Sequence, residues 1–162
     1  MEEKELAELL HLVGRRLRHG YIHRLGPLGL NPGQARALRA LADAAQPLRM
    51  VQLADQLRIV PRSLTPVVDA LESAGLVRRE VDPASRRSTL LLITPEGRRL
   101  AARARDARRE EGQELFAVLS EEQRDQLRDL LSLVEEQFRC GRRQPHPDAP
   151  PAVRDERHAH PA

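Results

Sequence analysis

The side chains best equipped for chemistry in this sequence are arginines. Arg58, Arg62, Arg78, Arg79, Arg86 and Arg87 fall between residues 58 and 87, with Ser63 and Thr65 beside the second of them. A guanidinium stays charged and offers a planar fork of N–H donors, so its chemistry is the recognition of phosphate or of a base edge, not bond-making. The groupings an enzyme needs are missing: no nucleophile stands with a base, no glycine loop is built to cradle phosphate, and no carboxylate pair has metal-ligand spacing. The expectation is therefore a binding protein with no cofactor. His19 and His23 stand at i and i+4, but without a third and fourth ligand no metal is expected. Cys140 is the only cysteine, which excludes an internal disulfide framework and a multi-cysteine zinc site.

Charge sharpens this reading. The net charge is only +3, which permits contact with a polyanion without demanding it. Its distribution is uneven: residues 58–109 hold twelve arginines against six acidic residues, and residues 110–138 hold two against nine. A basic middle and an acidic end suit an anion-binding head on a helical support; alternating solvated helix faces would give the same totals, so spacing must decide.

The elements that would position these arginines are legible from periodicity and punctuation. With aromatic residues at 2% and no Trp, the core must be Leu, Ala and Val, which favours packed helices. Leu6, Leu9, Val13, Leu17 and Ile22 predict a first helix ending at Gly26-Pro27. Asn31-Pro32 opens a second helix, with Ala35, Leu38, Leu41 and Ala45 on one side until Pro47. Met50–Leu57 reads as a short helix. After Pro61, Leu64, Val68 and Leu71 recur at i, i+4 and i+7, and Gly75 stands where a left-handed cap belongs. The period then changes: Leu76–Val81 and Thr89–Thr94 read as strands of a hairpin joined by a turn over Asp82–Arg87. Thr94-Pro95-Glu96 restarts helix, expected to run to about Leu119, roughly 35 Å. Ser120 and Gln123 form a capping box for a last helix carrying Leu127, Leu131, Val134 and Phe138.

That order of elements, together with the stretches LADQL, PRSLTPVVDALESAGLVRRE and DPASRRSTLLLITPEG between Leu53 and Gly97, resembles the MarR-type regulators over residues 6–138. The resemblance implies a mostly α protein with a small β-hairpin: a winged helix-turn-helix head on helical dimerisation arms. The expected divisions are an N-terminal dimerisation helix (1–30), a DNA-binding region (31–97), C-terminal dimerisation helices (98–140) and a disordered tail (141–162). Independently of the family, the first residues of a groove-bound helix read bases, which nominates Arg62, Ser63 and Thr65. Arg62 can pair with guanine in bidentate fashion. Ser63 and Thr65 can hold a phosphate or base edge, or simply satisfy the helix's first turn. Arg58 and Arg78 join the DNA-facing set, and Arg86 or Arg87 at the hairpin tip can enter the adjacent minor groove. Asp82 resembles the family's wing aspartate that braces an arginine. The chain departs from the pattern at three places: Ala84 stands where many members have Arg, Met50 where a Ser or Thr cap is usual, and Pro66 where a polar residue is often found. Which wing arginine enters the groove therefore stays open.

Apolar seams at both chain ends call for a second copy, and the resemblance implies a homodimer on a pseudo-palindromic double-stranded DNA site. It also implies a small aromatic or phenolic effector in the cleft between head and arms, with Tyr21 and His23 as lining candidates, whose binding releases a repressor from its DNA. Packing as ordinary side chains is the competing reading for both. Cys140 lies far from the N-terminal position of the peroxide-sensing cysteine in redox-responsive members. The acidic start MEEKELAELL and the lack of a long apolar run predict no membrane and a cytoplasmic protein. A second class stays open: winged helices also dock proteins, and apolar anchors in place of arginines on the presented face would favour that.

Overall fold

The computed structural model describes residues 2–141, with side chains at 5–85 and 88–137. The expected tail, 141–162, lies almost wholly outside the described residues. The elements are α1 (Glu2–Leu25), a 3-10 turn (Gly26–Leu28), α2 (Pro32–Asp43), β1 (Leu48–Arg49), α3 (Met50–Leu57), α4 (Pro61–Ser73), β2 (Val77–Asp82), β3 (Ser85–Ile93), α5 (Pro95–Leu115) and α6 (Glu121–Gly141). The chain divides into two units, Met1–Ala117 and Val118–Ala162. The mostly α architecture with a small antiparallel sheet is the one the sequence predicts.

Local chemistry sets the boundaries. Asn31 caps α2 by accepting from Gln34 N at 2.9 Å, while Gln34 Oε1 accepts from Asn31 N at 2.9 Å. Helix α4 ends in a Schellman motif: Gly75 (φ +71) donates to Glu72 O at 2.8 Å and Leu76 donates to Leu71 O at 2.9 Å. Thr94 accepts from Gly97 N at 3.0 Å, and its hydroxyl donates to Gly75 O at 2.8 Å, so one residue both caps α5 and pins it to the end of α4. A Cβ on Gly97 would stand 2.1 Å from Leu76 O, so only glycine fits where the first turn of α5 meets the turn that leads into β2. In the second unit, Ser120 and Gln123 exchange the bonds of a capping box at 2.9 and 3.2 Å.

The core of the first unit joins Leu25 of α1, Ala37, Leu38 and Leu41 of α2, Leu53 and Leu57 of α3, Leu64, Val68 and Leu71 of α4, Val77 and Leu91 of the sheet, and Ala101 and Ala104 of α5. Alanines on α5 let its backbone approach, which is how a helix so rich in arginine still contributes a buried face. The sheet order is β1-β3-β2, all antiparallel.

Three boundaries differ from expectation. The two-residue β1, pairing Leu48 with Leu91 and Arg49 with Leu90, was not expected, because two residues carry no period. Strand β3 begins at Ser85 instead of Thr89, leaving only Pro83 and Ala84 between the strands. Helix α5 stops at Leu115, where Ala117 N bonds back to Glu114 O at 3.2 Å and tightens the turn before Ser120.

Candidate nucleic-acid interface

Helix α3, the turn 58–60 and helix α4 form a helix-turn-helix whose inward ridges are fixed by the buried Leu53, Ala54, Leu57, Leu64, Val68 and Leu71. Burial of that ridge leaves the other side of α4 in solvent: Arg62, Ser63, Thr65 and Pro66 are all exposed. Arg62 and Pro66, at i and i+4, share a face. Arg62 has no ion-pair partner among the described residues, and the Ser63 hydroxyl has no hydrogen-bond partner there. Thr65 differs: its hydroxyl donates to Pro61 O at 3.4 Å, the back-bonding that the sequence left open. Pro66 is the sixth residue of α4, so it removes a donor that would otherwise reach the Arg62 carbonyl.

Arg58 closes α3 in the left-handed region (φ 52), the one non-glycine residue with positive φ among the described residues. Its N–H donates to Asp55 O at 3.0 Å, while Arg36 Nη2 of α2 donates to the neighbouring Leu57 O at 2.5 Å. An arginine in αL costs about 1–2 kcal/mol, and Arg58 stands exposed just before the start of α4.

The wing is built from polar contacts. Asp82 is 5% exposed, and its carboxylate accepts from Ala84 N at 2.8 Å and from Arg49 Nε at 2.7 Å. The Ala84 amide first and the Arg49 guanidinium second hold the Asp82 carboxyl below its ordinary range. From the pair Val81–Thr89 to the pair Asp82–Ser85, β2 advances one residue and β3 four, a bulge that inserts residues 86–88. Arg86 and Arg87 thus belong to the bulged strand; their side chains lie outside the described residues.

The six arginines do not act alike. Arg78 is exposed and pairs with Glu80 at 2.9 Å. Arg79 is turned to α4, where it pairs with Asp69 at 2.5 Å and with Glu72, and its backbone N–H donates to Glu72 Oε1 at 3.1 Å. Its expected place on the anion-facing surface is corrected: Arg79 ties strand to recognition helix. Arg49 and Arg36 were not foreseen, since nothing in their sequence neighbourhood marks a brace or a cap.

Tyr21 and His23 are two residues apart and so point to different sides of α1. Tyr21 packs on the core, whereas His23 lines a cleft of about 500 Å³ between α1 and α5 with Arg24, Leu28, Arg103, Asp106 and Glu110. Arg24 bridges to α5 by donating to Glu111 Oε2 at 2.9 Å and by pairing with Glu114. No cluster of three metal-ligating side chains occurs among the described residues, nor is any helix there long and apolar enough to cross a membrane.

Comparison with known proteins agrees with this geometry. The MarR family model matches residues 30–89. The transcriptional repressor Rv2887 of Mycobacterium tuberculosis is 32% identical over 130 residues, covering 80% of this chain and 93% of its own. The crystal structure of Rv2887 in complex with DNA superposes with a TM-score of 0.67 at 30% identity, over 80% of this chain and 96% of that one. CouR of Rhodococcus jostii, solved with p-coumaroyl-CoA bound, gives a TM-score of 0.66 at 28% identity over 82% and 92% of the two chains. With a family model over residues 30–89 and a 32%-identical repressor covered over 93% of its length, the chain belongs to the MarR family of DNA-binding transcriptional regulators.

Proposed function

We propose that this regulator is a cytoplasmic, non-enzymatic repressor that binds a pseudo-palindromic operator as a homodimer and leaves it when a small aromatic or phenolic ligand binds. The observation that carries the DNA contact is α4 itself, anchored by Leu64, Val68 and Leu71 and exposing Arg62, Ser63, Thr65 and Pro66. In this reading Arg62 pairs with a guanine, Ser63 holds a phosphate or base edge, and the Pro66 ring packs on a thymine methyl. Thr65 supports the first turn and adds a contact at its outer edge. Arg58 and Arg78 neutralise flanking phosphates, and Arg86 or Arg87 enters the minor groove.

Dimerisation is supported by uncovered apolar surface. Leu6 (70% exposed), Leu9, Leu10 and Val13 on α1, and Leu130, Leu131, Leu133 and Val134 on α6, lie open among the described residues. Monomers rarely leave such stripes in water. The functional divisions 1–30, 31–97 and 98–140 follow from this assignment. For the ligand, the cleft lined by His23, Leu28, Arg103 and Ala107 offers apolar walls and charges of both signs, and CouR supplies the example of a relative with an aromatic thioester bound. Tyr21, the other lining candidate, packs on the core and does not line this cleft.

Fluorescence anisotropy on DNA from upstream of the protein's own gene, against scrambled DNA across a salt series, tests the reading. Preferential nanomolar binding with a steep salt slope, reversed by a phenolic compound, is expected. No binding even at low salt would overturn it in favour of a protein-docking winged helix.

A further inference from the structure

We propose that Arg49 is the residue that positions the wing, tying Asp82 to the start of α3 and thereby setting how the protein discriminates the flanks of its operator. The inference rests on the DNA contact assigned above and goes beyond it by naming a residue that acts without reading a base. A two-stranded hairpin is marginal by itself, and this one has no apolar anchor at its outer end, where Val81 is 66% exposed. What holds that end is polar: Asp82, almost fully buried, accepts from the Ala84 amide with one oxygen and from Arg49 Nε with the other, which also forms an ion pair with Arg49 Nη2 at 2.5 Å. Arg49 is itself fixed, because it ends β1 opposite Leu90 and its N–H donates to Gln52 Oε1 of α3 at 2.8 Å. One chain of bonds therefore runs from the first turn of α3 through Arg49 and Asp82 to the hairpin tip.

Ala84 gives this bond chain its importance. A methyl group at the tip supplies no cation to the buried carboxylate, so the counter-charge must come from elsewhere, and among the described residues Arg49 alone supplies it. The helix-turn-helix and the wing are thus coupled through one guanidinium that both hydrogen-bonds and ion-pairs with a single oxygen. Lysine, a point charge without the fork, would reproduce the charge but not the angle. A wing released from this contact would still carry its arginines, but would no longer hold them at the depth that senses minor-groove width.

The test uses the full-length protein with Arg49→Ala, Arg49→Lys, Asp82→Asn and the Arg49→Ala/Asp82→Asn pair, each checked for an unchanged circular dichroism spectrum. Anisotropy is read on operators whose flanks are A·T-rich or G·C-rich, and Ala84 amide exchange is read in the free protein. Loss of Arg49 is expected to weaken binding to the A·T-flanked operator by roughly tenfold, to abolish the flank preference, and to be no worse in combination with Asp82→Asn. Arg49→Lys should recover part of the affinity and little of the preference. A loss that is uniform across flanks, or additive with Asp82→Asn, would make Arg49 a plain phosphate contact and overturn the proposal. Should the wild type bind no operator, the DNA assignment fails by itself, and the brace is still judged: an Ala84 amide that exchanges no faster in Arg49→Ala refutes it.

Discussion

The recognition helix and the wing serve one surface but are held in place by opposite means. Helix α4 is seated by Leu64, Val68 and Leu71, each buried completely, so its outward face is fixed by packing that no single polar contact controls. The wing tip is seated by a buried carboxylate, one amide and one guanidinium, with its nearest apolar residue in solvent. Packing is redundant and insensitive to pH and salt, whereas a three-partner polar bracket is specific and fails as a unit. Helix α4 is therefore fixed by volume and the wing tip by charge.

The sharpest way to break this comparison is in the core. Leu64→Ala should lower stability by about 2–5 kcal/mol, read by thermal or urea unfolding, while Val81→Thr in the wing should change it by less than about 0.5 kcal/mol. Equal effects would mean that the wing too is held by packing. Next in size is Gly97→Ala, where a methyl group must displace the Leu76 carbonyl. A cost of about 1–3 kcal/mol is expected, with the close approach to Leu76, not the helix cap, as its source. Replacing the neighbouring Thr94 cap by serine should be far milder.

Arg58→Gly separates stability from function. Relief of the left-handed conformation gains about 1–2 kcal/mol, and the extra freedom of glycine in the unfolded chain takes back about half of that. A small net stabilisation with weaker DNA binding is expected from paired unfolding and anisotropy measurements; weaker folding would refute the strain argument. The smallest effect concerns pH. The Asp82 carboxyl is depressed in the folded state, so its contribution is complete above the ordinary value of 3.8 and disappears as pH falls through the lower folded value. Ala84 amide protection, corrected for intrinsic exchange, should thus be flat down to about pH 5 and fall only below about pH 4. A decline near neutral pH would show that another group holds the tip.

The same contrast explains what could be read from the sequence. Helices α2, α4 and α6 were legible because Asn31, Gly75 and Ser120 mark their ends and apolar residues recur on one side between them. The exposed positions of α4 followed directly, since burying Leu64, Val68 and Leu71 leaves Arg62 and Pro66 nowhere else to go. The bracket at Asp82 was legible only from its acceptor end: its donor lies 33 residues earlier on a strand of two residues, too short to have a period. Arg79 shows the converse. Composition counts it among the cations available to a polyanion, but pairing to Asp69 and Glu72 removes it from that set, and only three dimensions reveal the partner.

The most direct test of the central claim, that α4 reads bases while the wing reads the flank, is the affinity of wild type, Arg62→Ala and Arg87→Ala on an operator panel carrying every single base-pair substitution. The account predicts that Arg62→Ala loses about 1–3 kcal/mol and becomes indifferent at one guanine-bearing position. Arg87→Ala should leave every central preference intact and lower the salt slope by about one. Identical, sequence-independent losses from the two variants would contradict it.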